Sequence, residues 1–143
     1  MNDNGNPSAK FKEGENIQFY LSLKNISKEE IIIKGNFITE DFFMVYKGVE
    51  KVGKPWTGIY CEFRNDPQLF EIQPNESVSF CLPWQYSPEE LQIFYPFCGI
   101  GVEKEALKTG EYSCKFPINL NYTKNGKEKK ISNLFFIINF KVE

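Results

Sequence analysis

From Gly110 to Val142 the chain alternates apolar and polar residues with period two, and the alternation turns back on itself at Asn125-Gly126. Tyr112, Cys114, Phe116, Ile118, Leu120 and Tyr122 alternate with Glu111, Ser113, Lys115, Pro117, Asn119 and Asn121. After the turn, Leu134, Phe136, Ile138, Phe140 and Val142 share one face. Successive side chains of a strand point to opposite sides, so this is the pattern of two strands, each with a buried face. Asn-Gly supplies two residues that tolerate positive φ and so closes a tight hairpin. Pro117 lacks an N–H and marks an edge, a bulge or an unpaired register position. Phe135 and Ile137 make the last strand apolar on its other face as well, so its middle is expected to be covered on both sides.

The remaining chain fits the same class. Ile17, Phe19, Leu21 and Leu23 alternate with polar residues over Glu15 to Lys24. Ile31 to Ile33 is a β-branched run, which favours a strand over a helix. Phe42 to Lys47, Thr57 to Phe63, Leu69 to Ile72 and Val78 to Leu82 read as further strands separated by turn residues. Ser87-Pro88-Glu89-Glu90 has helix-start chemistry, but Pro96 limits any helix near 87–94 to one or two turns. The expected fold is all-β: an immunoglobulin-like two-sheet sandwich of about seven to nine strands, with a closed barrel as the main alternative. Residues 1–10 read as a flexible leader and 11–143 as a single domain.

Composition matters chiefly for what it removes. The chain has no histidine, which excludes Ser-His-Asp and Cys-His catalysis, histidine metal sites and histidine pH switching. Its 17 basic and 19 acidic residues lack the positive footprint that nucleic-acid binding needs. No calcium-loop pattern and no nucleotide-binding glycine loop occurs, and no carboxylate pair stands out as catalytic. We therefore expect no enzyme, no cofactor and no nucleic-acid partner. No segment reaches the ~20 apolar residues of a membrane helix. Three Asn-x-Ser/Thr triplets, at Asn25, Asn75 and Asn121, arise easily in an Asn-rich chain and carry little weight.

Cys61, Cys81, Cys98 and Cys114 form no CxxC pair, which argues against zinc-ribbon and thioredoxin-type sites. An even, spread set fits two disulfides in an exported protein, with three pairings open. The alternative is four small buried apolar residues in a reducing compartment.

Three phrases carry a resemblance: FKEGENIQFYLSLKNIS, IQPNESVSFCLPW and LKTGEYSCKFPI. Together they resemble immunoglobulin-like domains of exported, Bacteroides-type lipoproteins and, more distantly, the fold of BsuPI-type intracellular proteinase inhibitors. In immunoglobulin domains a tyrosine sits at a corner two residues before a cysteine, and Tyr112 and Cys114 have that spacing. The early-strand partner cysteine of antibody domains is missing, since Glu15 to Lys24 contains none. The lipoprotein resemblance implies a cell-envelope location, with a lipid anchor upstream, and a binding, adhesion or accessory structural role towards a protein or glycan. The inhibitor resemblance implies protease binding through inter-strand loops, here Gly48 to Trp56 or 83–109. A third reading, a carbohydrate-binding module, rests on Trp56, Trp84, Tyr86 and Tyr95, which lie at or near loops and would have to be exposed.

Overall fold

The structure is a computed structural model and describes residues 1, 7–39, 41–55, 59–60, 69–85, 97–98 and 104–143. Eleven strands follow in chain order: β1 (Lys10–Phe11), β2 (Gln18–Lys24), β3 (Ile31–Lys34), β4 (Val45–Lys47), β5 (Glu50–Gly53), β6 (Ile59–Tyr60), β7 (Leu69–Ile72), β8 (Ser77–Pro83), β9 (Phe97–Cys98), β10 (Gly110–Lys124) and β11 (Lys127–Val142). A 3-10 turn spans Gly35–Phe37. The large sheet runs β1-β11-β10-β3-β7, with β4 also on β10 and β5 on β4. The antiparallel β2–β8 pair forms the opposing layer, and β6 and β9 make a short pair of their own. The result is an all-β sandwich without barrel closure among the described residues. The Thr57 to Phe63 strand expected from sequence appears only as Ile59–Tyr60, and the helix expected near 87–94 lies outside the described residues.

The β10–β11 ribbon is its spine. Asn125 and Gly126 have φ of 52° and 68°, the two positive values a type I′ hairpin requires. Pairing then runs from Lys124↔Lys127 to Gly110↔Val142, interrupted by one bulge where Ser132 and Asn133 oppose Asn119. Asn133, at φ 64°, takes the strain of that bulge, and its N–H is held by Asn119 Oδ1 at 3.3 Å. On the far side of β10, β4 pairs at Ser113 and Cys114 and β3 pairs from Tyr122 to Lys124. Pro117 falls in the gap between them. Lys115, two residues earlier, sends its N–H away from β11 to Met44 O at 2.8 Å. By strand alternation the Pro117 nitrogen points the same way, where no strand needs its hydrogen.

The core is aromatic. Phe37, Phe42, Phe43, Phe80 and Phe116 are buried and meet in a chain of edge-on and tilted contacts, with Phe42–Phe116 at 5.2 Å and Phe43–Phe116 at 5.0 Å. Phe19 of β2 and Phe140 of β11 join the two layers at 5.9 Å. Here one strand falls short of its expected length: Phe42 to Met44 form a turn, and only Val45–Lys47 is strand. All of Phe42, Phe43, Met44 and Val45 are buried, which an alternating strand with one wet face cannot achieve. Phe43 sits at φ 58°, a left-handed conformation costly for a bulky residue and held by packing against Phe19, Phe42 and Phe116.

Two polar anchors fix the ends. Tyr112 donates its hydroxyl to Lys108 O at 2.7 Å, four residues upstream, which is the bond of a tyrosine corner. Its ring stacks on Phe140 at 5.5 Å. Tyr112→Phe keeps the stacking and loses the bond, so urea unfolding should show a loss of about 1 kcal/mol. Asn25 is buried at the end of β2. Its Nδ2 donates to Glu29 O at 2.8 Å and Ile72 O at 2.9 Å, and its Oδ1 accepts from Ser27 N at 2.9 Å. Asn25→Ala strands those backbone groups and should cost about 2–3 kcal/mol in the same assay. The buried, doubly bonded Nδ2 also makes the Asn25 triplet a poor glycan acceptor.

Candidate interaction surface

The cysteine expectation is corrected at Cys114, which is a free thiol. It lies on the inner face of β10, opposite Ile138 of β11 and Val45 of β4, and is fully buried. Burial pushes its pKa up to about 12, the opposite of what a reactive or metal-binding thiolate needs. Cys81 belongs to the opposing layer, on the face of β8 shared with Ser79, and its Sγ lies 3.6 Å from Gln18 Oε1. Two disulfides drawn from all four cysteines are therefore not formed. Cys61 and the side chain of Cys98 lie outside the described residues, although the Cys98 backbone pairs with Ile59.

Of the four candidate binding aromatics, Trp56, Tyr86 and Tyr95 lie outside the described residues. Trp84 is buried, and this corrects its reading as an exposed platform. Its Nε1 donates to Glu105 O at 3.0 Å, its ring packs against Phe19 at 6.3 Å, and Lys104 Nζ caps the ring at 4.6 Å. The Lys104 pKa is lowered, first by desolvation and then by the neighbouring charge of Lys54. Trp84, directly after β8, is thus part of the core. Among the described residues no cluster of three or more metal-ligating side chains occurs, and no helix is long and apolar enough to cross a membrane. The described carboxylates with lowered pKa are Glu13, Glu29, Glu128 and Glu143. Each is open to solvent and is held down mainly by a hydrogen bond from Thr109, Asn125, Lys34 and Lys141 respectively.

What the structure does present is the middle of β11. Sequence alternation predicts cover on both sides; among the described residues the outer face is largely uncovered, and the inner face is covered only at Phe136, which stacks on Phe116. On the outer face Phe135 is 61% and Ile137 55% exposed. On the inner face Leu134 is 37% and Ile138 47% exposed: the described β2–β8 layer reaches β11 at Phe140, through Phe19, and leaves these two side chains partly open. Among the described residues the edge is open as well: β10 occupies one side of β11, while on the other β1 pairs only with Lys141 and Val142. From Ile131 to Phe140 the strand carries no charge, whereas Lys127, Glu128, Lys129, Lys130, Lys141 and Glu143 crowd its ends. Edge strands of monomeric proteins are normally defended by inward charges, prolines or short length. Beside its inner face, a cleft of about 350 Å³ is lined by Leu23, Ile33, Leu120, Tyr122 and Ile131, with Lys129 at its margin. Period two alone could not reveal this surface, since it cannot say which strand ends the sheet. The one available signal was the ten-residue run without a charge.

No family model, curated protein or solved structure matches the chain.

Proposed function

We propose that this chain is a non-enzymatic domain of an exported cell-envelope lipoprotein and that its task is protein binding, through the edge of β11. The observation that carries the reading is the open, uncharged, apolar edge between Ile131 and Phe140, with Phe135 and Ile137 facing solvent. An unpaired strand edge offers a row of main-chain donors and acceptors, and the flanking apolar side chains supply the contact energy. The envelope location rests on the resemblance of the three strand-and-turn phrases to exported lipoprotein domains.

The test places a photo-crosslinking amino acid at position 137 in the native host, irradiates the cells and fractionates them. The expected result is a light-dependent protein adduct in the envelope fraction, absent when the crosslinker replaces exposed Glu50 on β5. Protein confined to the cytosol would overturn the location. An adduct at neither position would overturn the surface.

A further inference from the structure

We infer that the partner of β11 is a second copy of this chain, paired antiparallel about a two-fold axis through Phe136. The inference rests on the reading of β11 as a contact surface and names its occupant.

The side chains of the segment are self-complementary. Residues 133–139 read Asn-Leu-Phe-Phe-Ile-Ile-Asn, which is the same polar and apolar sequence in both directions about Phe136. A strand meeting its own copy antiparallel in that register sets Asn133 against Asn139, Leu134 against Ile138, and Phe135 against Ile137. No polar group is forced against an apolar one, and aliphatic and aromatic cross-strand pairs of this kind stabilise a sheet.

The backbone selects the same register. Lys141 N donates outward to Ala9 O at 2.9 Å, and Glu143 N to Phe11 O at 2.8 Å, so odd-numbered residues here turn their N–H groups away from β10. The pairing of β11 with β10 is unbroken from Leu134 to Val142, so Phe135, Ile137 and Asn139 do the same. In the register centred on Phe136, odd residues meet odd residues. Phe135 and Ile137 of the two copies become hydrogen-bonded pairs, and Phe136 faces its mate across a non-bonded pair, where side chains approach most closely. A register shifted by one residue would set outward N–H groups against a backbone that points away.

The length of the free edge and its lack of charge agree. The bulge at Asn133 closes one end of the free edge, and β1 at Lys141 closes the other. The self-complementary segment fits between them. The centre of the segment holds no charge to repel. Edge pairing covers the flanks of these apolar side chains and leaves much of both faces open, so the interface is small and the dimer weak, below the usual size of a tight interface.

The experiment is analytical ultracentrifugation of the purified chain from about 1 µM to about 500 µM, with dissociation expected in the tens of micromolar. Ile137→Lys should weaken the dimer at least about tenfold. The side chain is exposed, so circular dichroism and melting should be unchanged. Register is read by disulfide trapping. An equimolar mixture of Phe135→Cys and Ile137→Cys chains should crosslink well above either alone and above the parent chain, because only the mixed pair stands directly opposed. A dimer that traps equally in all three samples would overturn the register. A monomer at every concentration would overturn the second copy as occupant. If position 137 still crosslinks a different protein in cells, the surface stands with another partner, and if it crosslinks nothing, both readings fall.

Discussion

Replacing Phe116 with alanine should lower the unfolding free energy by about 3–5 kcal/mol, the range for deleting a fully buried aromatic ring. Phe116 projects from the middle of β10 into the aromatic cluster. It meets Phe42 at 5.2 Å, Phe43 at 5.0 Å, and Phe136 in a stacked contact at 5.5 Å. The surrounding rings belong to β11 and to a turn whose backbone at Phe43 is already strained, so the site has little freedom to collapse into the space left behind. Domains of this size are stable by roughly 5–15 kcal/mol, so the variant should lose a large share of its stability and melt far earlier. Phe135→Ala, one residue from the stacked partner but on the outer face, should change stability by less than about 0.5 kcal/mol. Urea titration of the two variants side by side checks both statements. Equal losses would mean that the outer face of β11 is packed after all.

Alkali should destabilise the fold through Cys114. The signs are as follows. Burial raises the folded-state pKa from its ordinary 9 to about 12. Below pH 9 the thiol is protonated in both states and folding carries no proton cost. Between pH 9 and pH 12 the unfolded chain releases the proton and the folded chain holds it, so stability falls as pH rises. Between pH 8 and pH 11 the loss from this group alone is on the order of 2–3 kcal/mol. Lysines and tyrosines titrate in the same range, so the measurement is a difference. Urea curves for the parent and Cys114→Ala are compared at pH 8 and pH 11, and the parent should lose more. A variant with the same pH slope would show that the thiolate finds water in the folded state. The same burial predicts that Cys114 stays unmodified by a thiol reagent at pH 8 until denaturant is added.

The parts of this fold legible in the sequence are those governed by local rules. The Asn125-Gly126 turn, both strands of the ribbon, Ile31 to Ile33, Leu69 to Ile72 and the alternating β8 all follow from period two and turn chemistry. The tyrosine corner was legible through the spacing of Tyr112 and Cys114. What local pattern could not supply was the width of the opposing layer. Burial of Leu134 and Ile138 depends on whether another strand lies beyond β2, and that information is absent from β11 itself. The same holds for Cys114. Its inward face could be read from parity, but whether a second sulfur lies within reach depends on the partner layer. Phe42 to Met44 misled for a third reason, since a fully buried turn and a fully buried strand leave the same apolar run in the sequence.

The long ribbon also sets an order of events in folding. Its two strands are neighbours in sequence across a two-residue turn, so their pairing closes a minimal loop. The β2–β8 layer must bring together residues such as Tyr20 and Ser79, 59 positions apart, whose hydroxyls lie 2.8 Å from each other in the finished fold. Closing the short loop costs less entropy, so the ribbon is the natural nucleus and the narrow layer docks late. A weakened turn at Gly126 would then slow folding, whereas a weakened β2–β8 contact would mainly hasten unfolding. During the interval the nascent ribbon exposes both faces of β11, at the moment when the concentration of other newly made copies is highest.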